Sequence, residues 1–82
     1  MNSKEFITEW KAVPENKNED NIICRMVYLQ SGDAVFCTDY RIMEDKADNY
    51  YDEVKLYYGK SSIAVIRLSN IKHVVLVFRE SD

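Results

Sequence analysis

The segment Ile66-Arg67-Leu68-Ser69-Asn70-Ile71 lies between Ile63-Ala64-Val65 and Val74-Val75-Leu76-Val77-Phe78, and it constrains the fold more than any other part of the chain. It reads as a strand, a tight polar turn and a second strand. β-Branched residues dominate both flanks, and such side chains pack well on a pleated, half-buried surface. The run Val74 to Phe78 has no polar alternation. A strand of that kind is covered on both faces or pairs with another chain. Homo-oligomerisation through this strand is therefore one expectation and a free monomer the other.

The 82 residues make room for one domain, 1–82, whose short chain buries only about 60–65% of its unfolded surface. An enclosed catalytic cavity does not fit easily in so small a core, so a site belongs on the surface or between subunits. With 46% apolar and 30% charged residues, the chain is too apolar for intrinsic disorder. Its ten aromatic residues, six of them tyrosine, fit a β-rich core and its rim.

The pattern predicts one helix and then about five strands. Asn2 or Ser3 can cap the helix, with Glu5 in its first turn. Phe6, Ile7, Trp10 and Val13 form a single apolar stripe, and Pro14 stops the helix, giving residues 1–14. Glu15 to Asn21 is fully polar and reads as an exposed loop. Strands follow at Ile22 to Leu29, Ala34 to Ile42, Val54 to Tyr58, Ile63 to Leu68 and Val74 to Phe78. Gln30-Ser31-Gly32-Asp33 and Gly59-Lys60-Ser61-Ser62 make turns between them. If Leu29 opposes Ala34, then Met26 opposes Cys37 and Cys24 opposes Asp39. Both cysteines then read as small buried hydrophobes rather than a disulfide or a metal pair. The expected fold is mainly β (α+β): a partly open, five-stranded antiparallel barrel over 22–78, with the helix covering one end and Phe6 and Trp10 plugging the core.

One helix followed by five short strands is the layout of the Sm-like and SH3-like small β-barrels. Ile66-Arg67-Leu68-Ser69-Asn70-Ile71 resembles the second Sm motif, and Ser31-Gly32 resembles the Asn-Gly turn of the first. The resemblance implies a barrel, an oligomer, and RNA or nucleotide binding through Arg67, Asn70 and Lys72. The chain departs from that pattern at Leu68 and Cys37, which stand where glycines are expected. It departs again at Asp48 and Asp52-Glu53, because acids near an RNA-contacting position repel phosphate.

The charge pattern points elsewhere for function. A net charge of −3 gives no general attraction to phosphate backbones. Glu44 to Glu53 (EDKADNYYDE) carries five acids and one lysine around Tyr50 and Tyr51. It reads as a loop or short helix. Tyrosine anchors ringed by charge are common at interfaces. Glu44, Asp45, Asp48, Tyr50, Tyr51, Asp52 and Glu53 are thus the candidate surface for a larger protein partner.

No reaction is legible. His73 is the only histidine, without a nucleophile and an orienting acid in evident reach. Gly59-Lys60-Ser61 has Val54 where a phosphate-binding loop needs glycine. The acidic run has neither the alternating ligands nor the central glycine of a calcium loop. No catalytic residue, metal or cofactor is expected. No apolar run is long enough for a membrane span, and no secretory pattern opens the chain, so the expected location is the cytoplasm. A free-standing acidic domain of this kind fits an inhibitor or adaptor carried by a phage or mobile element.

Overall fold

The helix forms over Ser3–Lys11 (α1) in a computed structural model that describes residues 1–79. Its start is a capping box. The Glu5 amide donates to Asn2 Oδ1 at 2.8 Å, and the Asn2 amide donates to Glu5 Oε1 at 3.2 Å, so two otherwise unpaired donors are satisfied. Phe6 and Trp10, one turn apart, are buried. The helix ends three residues before Pro14, earlier than the sequence predicts. Arg25 supplies a physical reason: its Nε and Nη2 both donate to the Trp10 carbonyl, at 3.1 and 3.0 Å. That carbonyl would otherwise accept from residue 14, and proline has no N–H to give.

Six strands follow: β1 (Ile22–Leu29), β2 (Ala34–Cys37), β3 (Asp39–Met43), β4 (Glu53–Tyr58), β5 (Ser61–Arg67) and β6 (Ile71–Phe78). They form two antiparallel three-stranded sheets, ordered β2-β1-β6 and β3-β4-β5. The expected second strand, Ala34 to Ile42, is split at Thr38, which makes six strands from the predicted five. The bend is pinned from β4: the Thr38 amide donates to the Tyr57 carbonyl at 2.7 Å, and the Gly59 amide donates to Thr38 Oγ1 at 2.7 Å. One chain segment thereby passes from the first sheet to the second. The two outer strands β5 and β6 do not pair, so the barrel is partly open. Leu68–Asn70 forms a short 3₁₀ turn between them.

The hairpin register differs by one residue from the sequence reading. Tyr28 faces Ala34, Met26 faces Phe36, and Arg25 faces Cys37. The turn is the cause. The Leu29 amide donates to the Asp33 carbonyl at 2.8 Å, leaving the three residues Gln30 to Gly32 as the loop. Gly32 takes φ +95° there, a conformation that favours glycine.

The core lies between the sheets and under α1. Val27, Cys37, Val54, Leu56 and Ile71 are buried with Phe6 and Trp10. The Trp10 ring sits edge-on to Tyr40 at 4.7 Å and stacks on Phe6 at 5.8 Å, with the Arg25 guanidinium 4.6 Å above it. No helix among the described residues is long and apolar enough to cross a membrane.

Cys24 and Cys37 are buried free thiols. Burial, with Cys24 and Asp39 adding and Arg25 opposing, pushes the Cys37 thiol up to about 11. The folded state therefore holds this proton more tightly than the unfolded chain, whose thiol titrates near 9.0. Stability from this group is complete below pH 9 and is lost as pH rises from 9 to 11, by an amount on the order of 2 kcal/mol. Denaturant midpoints measured across that range should fall more steeply for the natural chain than for Cys37→Ala. Equal slopes would remove Cys37 as the cause.

Candidate functional site

The acidic segment between β3 and β4 is ordered by its own carboxylates. Asp45 Oδ1 accepts from the Ala47 and Asp48 amides at 2.8 and 3.2 Å. Asp48 Oδ1 accepts from the Tyr50 amide at 2.9 Å and so caps the 3₁₀ turn Asn49–Tyr51. Short acidic side chains bond readily to nearby backbone in this way, and the result is a compact turn rather than a loose loop.

Asp52 is 5% exposed and does not lie on the surface assigned to it from sequence. Its Oδ1 accepts from the Asp45 amide at 2.8 Å, and its backbone carbonyl accepts from the Leu68 amide at 3.0 Å. It is the clasp that ties both ends of the acidic segment to the turn before β6. Glu44, Asp45 and Asp48 are exposed, and Glu53 is half-buried at the start of β4.

The clasp presents the two tyrosines to solvent. Tyr50 is 62% and Tyr51 46% exposed, yet they meet edge to face at 5.2 Å. The Arg67 guanidinium covers the Tyr51 ring at 5.1 Å. Arg67 arrives there because it pairs with Glu53 across β4 and β5. Among the described residues no Lys or Arg side chain lies within 4 Å of a carboxylate, so Arg67 is held by the ring rather than by an acid.

The basic residues predicted as a second site are partly brought together. Arg67 and Asn70 line one open cleft of about 590 Å³ with Leu29, Gln30, Ser31 and Glu53. The Gln30 amide donates to the Asn70 carbonyl at 2.7 Å, which fixes the hairpin turn against the 3₁₀ turn. Lys72 lines a neighbouring open depression with Tyr28, Gly32 and His73, which shares Leu29 and Gln30 with that cleft. Sequence reasoning placed Tyr51 and Arg67 in rival sites, whereas the fold stacks them. The signal was available in the β4–β5 hairpin, whose register carries Arg67 back to Glu53.

Among the described residues no three His, Cys, Asp or Glu side chains are grouped to hold a metal ion. The arrangement brings together two exposed aromatic rings, one stacked cation and a rim of acids. Comparison with protein-family models, with curated proteins and with solved structures finds no match to this chain.

Proposed function

We propose that the protein is a non-enzymatic docking module, acting in the cytoplasm as an inhibitor or adaptor on a larger protein. The observation that carries this reading is the Tyr50–Tyr51–Arg67 cluster. Exposed aromatic side chains usually lose rotamer freedom on binding, which weakens association. Here the edge-to-face ring contact and the stacked guanidinium restrict the side chains before a partner arrives, and the Asp48 cap fixes the backbone at Tyr50. Tyrosine and arginine are the residue types most often responsible for interface energy. Glu44, Asp48 and Glu53 around them favour a partner with a basic rim, which speeds encounter more than it tightens the complex.

The test is affinity capture from the native host with the natural chain and with Tyr50→Ala/Tyr51→Ala. The double variant should lose the captured partner by at least tenfold while keeping its far-ultraviolet circular dichroism, since two centred aromatic anchors commonly carry more than about 2 kcal/mol. Unchanged capture would reject this surface.

A second reading is nucleic-acid or nucleotide binding at the cleft shared by Arg67 and Asn70. It is supported by their convergence beside Gln30 and Ser31. The Glu53 carboxyl in the same cleft weighs against it. Capture of single-stranded RNA that falls steeply with salt would favour it over docking.

A further inference from the structure

We propose that the open cleft between the end of β5 and the turn joining β1 to β2 is a binding site for a free α-amino acid with an aliphatic side chain. Glu53 and Arg67 are direct partners across β4 and β5, and both line this cleft. Side chains opposite each other in such a ladder are close enough to form an ion pair. Among the described residues no such pair forms within 4 Å. The Arg67 guanidinium lies over Tyr51 instead. Lys55, two residues along the same face from Glu53, lies over the Tyr57 ring at 5.8 Å. Both cations beside Glu53 are thus turned to aromatic rings, and its half-buried carboxylate has no cationic partner among the described residues. A charge partly withdrawn from water gains from a ligand that brings the opposite charge.

The rest of the cleft supplies what the other end of such a ligand needs. A guanidinium stacked by its face keeps its N–H edge for a planar carboxylate. Asn70, exposed on the 3₁₀ turn that follows Arg67, adds a side-chain amide. Leu29 and Val65, the latter 51% exposed, offer an apolar wall for an aliphatic side chain. The cleft volume of about 590 Å³ lies in the range of small-molecule sites. Its far wall is tied down in advance. Besides the bond from the Gln30 amide to the Asn70 carbonyl, Gln30 Nε2 donates to the Ile71 carbonyl at 3.4 Å. A wall already held in place costs little ordering when a ligand arrives.

Charge decides between ligand classes. A phosphate or other simple anion is repelled by Glu53, and a simple cation by Arg67. A ligand with an ammonium and a carboxylate on the same carbon meets an opposite charge at each. This inference does not rest on docking to a larger protein, and Tyr50 takes no part in it.

Titration of the full-length, isotope-labelled chain with L-leucine, followed by nuclear magnetic resonance, tests the site. Amide signals of Gln30, Ser31, Arg67 and Asn70 should move together and saturate, with a Kd on the order of 1 mM or tighter. N-Acetyl-leucine lacks the ammonium and leucine amide lacks the carboxylate. Each should bind at least about tenfold more weakly, since each forfeits one charge-assisted contact. Glu53→Gln, with its fold checked by circular dichroism, should weaken leucine by a similar factor and no longer distinguish it from N-acetyl-leucine. Absence of saturable shifts up to about 10 mM leucine would overturn the proposal. So would equal binding of leucine and either blocked form, unchanged affinity in a folded Glu53→Gln, or shifts centred on another surface.

Discussion

Trp10→Ala is expected to lower stability by about 3–5 kcal/mol, the usual cost of emptying a large aromatic site in a core. For a domain of this size that corresponds to a fall in Tm of roughly 15–30 °C. The effect is large because three sets of contacts end on one residue. Its ring is 7% exposed and touches Phe6 and Tyr40, so truncation strips partners from α1 and from β3 together. The Arg25 guanidinium loses the ring beneath it, although its two hydrogen bonds to the residue-10 carbonyl can persist. Total stability of small domains is about 5–15 kcal/mol. A marginal chain would therefore be substantially unfolded at 37 °C, and chemical denaturation followed by circular dichroism would show it. A loss below about 1 kcal/mol would mean that the ring is not part of the core. Fluorescence of the natural chain gives a check without mutation: the single tryptophan should emit at the short wavelengths of a buried indole.

Asp52→Ala is expected to cost about 1–3 kcal/mol, because the Asp45 amide loses its acceptor while backbone around it remains partly buried. The second consequence is functional. Without the clasp, the segment from Glu44 to Tyr51 loses its tie to β4, and the tyrosines lose their fixed presentation. Hydrogen exchange should quicken at Asp45 and then across Ala47 to Tyr51, with β1 and β6 unchanged. Partner capture should weaken although neither tyrosine is altered. Asp52→Asn, which keeps one acceptor oxygen, should recover most of the protection. Equal exchange in Asp52→Ala and the natural chain would show that the clasp does not order the loop.

Much of the scaffold was legible because its signals are local. Asn2 or Ser3 before Glu5 announces the start of α1, and the alternation of Val54 and Leu56 announces the inner face of β4. Gly32 marks its turn for the same reason. Features set by distant partners were not legible. Ala34 to Ile42 reads as one strand because every residue in it tolerates extended backbone. The clue is a change of phase: Val35 and Cys37 are the more buried residues before Thr38, and Tyr40 and Ile42 after it. Asp52 shares its segment with the exposed acids Glu44, Asp45 and Asp48, and only the fold brings the Asp45 amide to it. The donor that satisfies the Trp10 carbonyl at the end of α1 is Arg25, fifteen positions away.

The pairing of β1 with β6 carries a kinetic consequence. Partners in this ladder lie between 42 and 56 positions apart, from Leu29↔Ile71 to Ile22↔Phe78. Closing so long a loop costs chain entropy before any contact repays it, so β-rich domains of this kind fold in milliseconds to seconds. During synthesis β1 has only β2 beside it until β6 emerges from the ribosome, and its other edge, from Cys24 to Leu29, waits unpaired. The interval before that last pairing is the period in which the nascent chain is most open to chaperones and to misassociation.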